Sequence, residues 1–137
     1  MKRPQVLDAV TLDAFDPELV SHFVVICTFD GAHGGSRRLR GVPLRRLIDA
    51  AQPAFEQRTD FKRVAIVAES REGYRALFSW NEVFNSVVGD GVIVAWDCNE
   101  APLLHPAGPF ALASSCDRAT GPRLVQRLSP IEPHKLW

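Results

Sequence analysis

Apolar residues in this chain come in short β-branched bursts, separated by glycine, proline and charge. Residues 22–29, through Phe23-Val24-Val25-Ile26-Cys27, are apolar on both faces and predict a buried strand. In Val92–Cys98, strict alternation puts Val92, Val94, Trp96 and Cys98 on one face. Arg63–Ala68 and Tyr74–Ser79 flank the polar turn Glu69–Gly73 and predict a hairpin. Further strands are expected at residues 5–11, Arg38–Val42, Phe110–Ser114 and Leu128–Ile131.

The helical period is rarer. Leu44, Leu47, Ile48 and Ala51 share one helical face, with Arg45, Arg46 and Asp49 opposite. Pro43 takes the favoured first position of that helix, and Pro53 ends it. Ser79 and Glu82 have the spacing of a capping box for a short helix at Trp80–Asn85. Thr11 is placed to cap a brief helix over Leu12–Leu19. Gly89-Asp90-Gly91 reads as a turn, Asn99–Gly108 as a loop, and Thr120-Gly121-Pro122 as the lead into a short helical turn. Many irregularly ordered strands with few short helices predict an α+β domain with a mostly β core and antiparallel or mixed pairing.

The 137 residues fit one domain, residues 1–137, and no linker divides them. Apolar residues make up 46% and charged residues 23%, an ordinary globular balance. Sixteen basic and sixteen acidic side chains cancel, which argues against a nucleic-acid or membrane-surface partner. No run approaches the roughly 20 apolar residues of a membrane span. The start, Met1-Lys2-Arg3-Pro4, followed by Asp8 and Asp13, does not read as a secretory signal. Three widely spaced cysteines, Cys27, Cys98 and Cys116, form no CxxC pair and read as free thiols of a cytoplasmic protein.

Candidate chemistry gathers after the second strand. Cys27 precedes a glycine-rich and basic stretch, Asp30-Gly31-Ala32-His33-Gly34-Gly35-Ser36-Arg37-Arg38. A thiolate beside backbone N–H groups and cations can bind a soft metal and an anionic cofactor tail. His33 is a candidate proton donor or anion contact near Cys27, and a Cys–His pair also supports a nucleophilic thiolate. Asp30 reads as an Asx turn before Gly31, and His105 as a loop residue among prolines.

The ordered set of segments resembles the molybdopterin-binding domain of the sulfite oxidase family. The matching pieces are Val25-Ile26-Cys27; Leu39-Arg40-Gly41-Val42-Pro43-Leu44 with Leu47-Ile48; and Gly73-Tyr74-Arg75-Ala76-Leu77-Phe78-Ser79. They continue with Val92-Ile93-Val94-Ala95-Trp96, Ala101-Pro102-Leu103, Gly108-Pro109-Phe110, and Gly121-Pro122-Arg123-Leu124-Val125 leading to Ile131. The resemblance covers roughly residues 21–132. It implies the family's α+β fold, a molybdopterin cofactor, and Cys27 as the catalytic cysteine that ligates molybdenum. It implies cofactor contacts from Gly31, His33, Gly34, Gly35, Arg37, Arg38, Cys116, Arg118 and Arg123.

Two cationic positions of the family's pattern are neutral here, Ala111 and Gln126. Two such contacts at roughly 1.5–3 kcal/mol each amount to several powers of ten in affinity. Two functions are therefore expected as alternatives. One is a molybdopterin-dependent, sulfite oxidase-like oxidoreductase domain. The other is a non-catalytic module on the same fold that binds a small anion or a partner and has lost the cofactor.

Overall fold

The computed structural model describes residues 5–6, 20–25, 35–51, 55–98, 101–104 and 108–137, with side chains from 39 onward within those ranges except at 101. The chain forms β1 (Gln5–Val6), β2 (Val20–Val25), β3 (Gly35–Pro43) and α1 (Leu44–Ala51). After a 3-10 turn at Asp60–Arg63 come β4 (Val64–Ser70), β5 (Arg75–Ser79), α2 (Trp80–Phe84) and α3 (Val87–Asp90). β6 (Val92–Cys98), β7 (Ala101–Pro102), β8 (Ala111–Ser114) and β9 (Leu128–Lys135) follow. This is a strand-rich α+β architecture, as the pattern predicts. No helix among the described residues is long and apolar enough to cross a membrane.

Two antiparallel sheets carry the fold. The first runs β1-β9-β4-β5 and the second β2-β3-β6, with β7 and β8 sharing the far edge of β6. The main core lies between them. Ile66, Phe78 and Ile131 come from the first sheet, Val42, Val94 and Leu112 from the second, and Leu44, Leu47 and Val83 from α1 and α2. A smaller cluster of Leu39, Ile93, Ala95 and Ala113 covers the other face of the second sheet.

Local rules explain much of this. The hairpin forms as predicted, with Val67 opposite Leu77 and Glu69 opposite Arg75. Gly73 supplies its positive φ of 93°. The capping box is present. Ser79 Oγ accepts from Glu82 N at 3.0 Å, and Glu82 Oε1 accepts from Ser79 N at 2.9 Å. In α1, Leu44, Leu47 and Ile48 are buried as expected, but Ala51 is exposed. Pro43 ends β3 rather than opening the helix.

Several expectations are corrected. β3 begins at Gly35, so Gly35-Ser36-Arg37 is strand as well, ahead of the expected start at Arg38. The ladder runs Val25↔Gly35, Phe23↔Arg37 and His22↔Arg38. Cys98 does not share a face with Val92 and Val94. The register between β3 and β6 shifts at Arg40/Gly41, leaving Trp96 as an extra residue. Beyond such a bulge every side chain changes face, and Cys98 packs with the smaller cluster. Val87–Asp90 form a short helix that takes in Gly89 and Asp90 of the expected turn, with Gly91 at its C-cap, and Ala101–Pro102 is a strand within the predicted loop. The expected helical turn after Pro122 is instead a non-helical turn, with Leu124 N donating to Gly121 O, that leads to a bridge between Val125 and Leu112. The last strand extends to Lys135. The helix expected at 12–19, Pro53 and His105 lie outside the described residues.

Candidate functional site

The described polar groups converge at the turn after β8. Ser115 is fixed to the start of β6, its N and Oγ both donating to Gly91 O, at 2.9 and 2.8 Å. A Cβ at Gly91 would stand 2.6 Å from Cys116 Sγ and would also collide with Ser115 Oγ. The absence of a side chain there lets the turn close. Cys116 and Arg118 are exposed, and Asp117 points back into the protein with 14% of its side chain accessible.

Asp117 meets Arg123 in a bidentate pair. Nε donates to Oδ2 at 2.8 Å and Nη2 to Oδ1 at 2.7 Å. Arg123 Nη1 also donates to Glu82 Oε2 at 3.0 Å and to the Leu77 carbonyl at 3.2 Å. Its guanidinium carbon lies 4.3 Å from the centroid of the Phe78 ring. Glu82 thus serves two ends. One carboxylate oxygen caps α2 and the other holds Arg123. The Tyr74 hydroxyl donates to the Pro122 carbonyl and pins the same segment.

The electrostatics follow from these contacts. Burial pushes the Asp117 carboxyl up, but the Arg123 hydrogen bonds and charge outweigh it and hold the group below the usual aspartate range. The Asp117 hydrogen bonds raise Arg123 further, burial opposes this, and Glu82 adds to the rise. The cluster is a charged pair with a second carboxylate, fixed at neutral pH.

Among the described residues, those expected to form one cofactor site fall into two groups. Cys27, Gly31, His33 and Gly34 lie outside the described residues. Gly35, Arg37 and Arg38 open β3, whereas Cys116 follows Ser114, which pairs with Val92 beside the Pro43 end of that strand. At about 3.3 Å per residue, Gly35 and Pro43 stand roughly 26 Å apart. The strand register therefore puts Gly35, Arg37 and Arg38 at one end of the second sheet and Cys116, Arg118 and Arg123 at the other. Ala111 is buried opposite Ala95, so a cation at that position would sit within packed sheet. Gln126 is exposed.

Glu82 and Tyr74 were missed as partners of this cluster. Glu82 was legible only as a cap, because Arg123 is 41 residues away in sequence. Among the described residues, no group of three His, Cys, Asp or Glu side chains is arranged to hold a metal ion. No family model matches the chain, and no curated protein matches it.

Proposed function

We propose that the chain is a sulfite oxidase-type domain that acts as a non-catalytic binding module for a small anion or a partner segment. The observation that carries this reading is the state of Arg123. Four of its five N–H groups are already donated, to Asp117, Glu82 and the Leu77 carbonyl. A pterin phosphate placed there would meet two carboxylates beside a charge they have neutralised. With Ala111 buried and Gln126 neutral, the described residues do not fit that group. Arg118 is exposed and forms no ion pair among the described residues, which leaves it the cation of this turn open to a small anion.

The competing reading, a molybdopterin-dependent oxidoreductase, draws its support from Cys27, two positions beyond the end of β2, and from the arginines that open β3. The two readings differ in what ligand supply does to stability. A ligand present at a thousand times its dissociation constant stabilises the native state by about 4 kcal/mol. Protein from cells that make the molybdenum cofactor and protein from cells that do not are expected to melt at the same temperature. A clear rise with cofactor supply would contradict the binding-module reading.

A further inference from the structure

We propose that the outer face of the first sheet seats a second copy of this chain. The inference is independent of the reading of the Arg123 cluster as a binding site. Along β4 and β5 the inner positions Ile66, Ala68, Ala76 and Phe78 are buried in the core, so the alternate residues face away from it. Val67 and Leu77 from these strands, with Pro130 and Leu136 beside them, give an open groove of ≈ 280 Å³ its apolar surface, and the buried Ala65 lies at its floor. Leu77 is 58% exposed, Leu136 60% and the adjoining Trp137 72%. Apolar side chains clustered in this way mark a contact surface more often than isolated ones do.

The chemistry of the rim selects the occupant. Two glutamates and one arginine share the face, with Arg75 3.4 Å from Glu69 and the His134 ring 3.0 Å from Glu132. A two-fold axis sets a surface against itself, so a face carrying both signs can meet its own complement. In such a pairing Arg75 of one copy can meet Glu132 of the other, which a purely acidic or purely basic partner would not match on both signs. Equal numbers of basic and acidic residues also mean that two copies do not repel at long range.

The mode of approach is constrained as well. Among the described strands β5 is the last of its sheet, and an open edge invites sheet extension. Here the Leu77 carbonyl is taken by Arg123, and Tyr74 holds Pro122 alongside. The segment around Pro122–Arg123 blocks that edge. The copies must meet face to face, in the manner of packed sheets.

Sedimentation velocity over a range of protein concentrations tests this, with melting curves as the check on folding. The wild type is expected to show a monomer–dimer equilibrium. Leu77→Asp should weaken dimerisation at least about tenfold, or roughly 1.4 kcal/mol, while leaving the melting temperature of the monomer unchanged. Arg75→Glu, at another exposed position on the same face, should weaken it too and serves if Leu77→Asp fails to fold. Val87→Asp, 75% exposed but on α3, should leave it intact. A wild type that stays monomeric throughout, a dimer that survives both face variants, or one equally sensitive to Val87→Asp would overturn the proposal.

Discussion

Arg123→Ala is expected to destabilise the protein by about 3 kcal/mol, because it strands two carboxylates that now share one guanidinium. Asp117 is the more costly of the two, being 14% exposed, with Glu82 at 37%. The substitution also uncovers the Phe78 ring and frees the β5 edge at Leu77. For a chain of this size the loss corresponds to a melting temperature lower by about 10 °C. Arg123→Lys should recover only part of it, since an ammonium cannot make the bidentate contact. A variant that melts with the wild type would mean that the cluster is not a structural clamp.

The same variant should alter the acid limb of stability. The Asp117 carboxyl is lower in the folded state than in the unfolded chain, so its contribution is complete above the ordinary aspartate range. That contribution is lost as pH falls through the range toward the folded value. Asp60 behaves likewise. The Gln57 amide lowers it, burial opposes, and Lys135 at 3.4 Å lowers it further. The gap between wild type and Arg123→Ala should therefore be constant near neutrality and close below about pH 4. Denaturant midpoints measured across that interval check it. A gap that persists unchanged into acid would assign the loss to packing rather than to the ion pair.

Gly41→Ala is expected to cost about 3 kcal/mol, for a reason that is steric rather than electrostatic. Gly41 sits where the β3–β6 register shifts, and a Cβ there would overlap the Val94 carbonyl and press on the Ala95 Cα. Both obstacles are backbone, so no rotamer relieves them. Gly73→Ala is the matched control. It meets open space but must hold a φ of 93°, and it should cost about 1–2 kcal/mol. Urea midpoints for the two variants rank them, and equal losses would argue against close approach at the bulge.

The bulge at Gly41 also marks how far the sequence could be read. Where one period governs an element, as in Val92–Trp96, the α1 face or the Ser79–Glu82 cap, the local pattern was sufficient. It failed where tertiary pairing interrupts the period. An extra residue at Trp96 moved Cys98 to the opposite face, which no alternation rule anticipates. Gly35-Ser36-Arg37 has no apolar alternation to mark it as strand, yet β2 lies alongside to pair it. The strand expected at Leu128–Ile131 stops short of Pro133, whereas β9 runs through it to Lys135. β1 pairs it at Pro130 and Ile131, leaving the stretch around Pro133 with only one described neighbour, β4, where a missing N–H is tolerated.

The candidate site shows the same limit. Arg123 was visible as a basic residue of the matching pattern, and Asp117 lies six positions before it. What Arg123 does depends on Glu82 and on the Leu77 carbonyl, 46 residues away in sequence. Charge composition cannot say whether a cation faces a ligand or is already neutralised by its own chain. In the folded chain Arg123 is held by Asp117, Glu82 and the Leu77 carbonyl.

Elemental analysis of protein purified from cells with an ample supply of molybdenum cofactor, alongside Cys27→Ser, puts the account most directly at risk. The expected result is molybdenum far below one atom per chain in both proteins. Near-stoichiometric molybdenum in the wild type, lost on replacing Cys27, would contradict it and establish the cofactor-bound oxidoreductase instead.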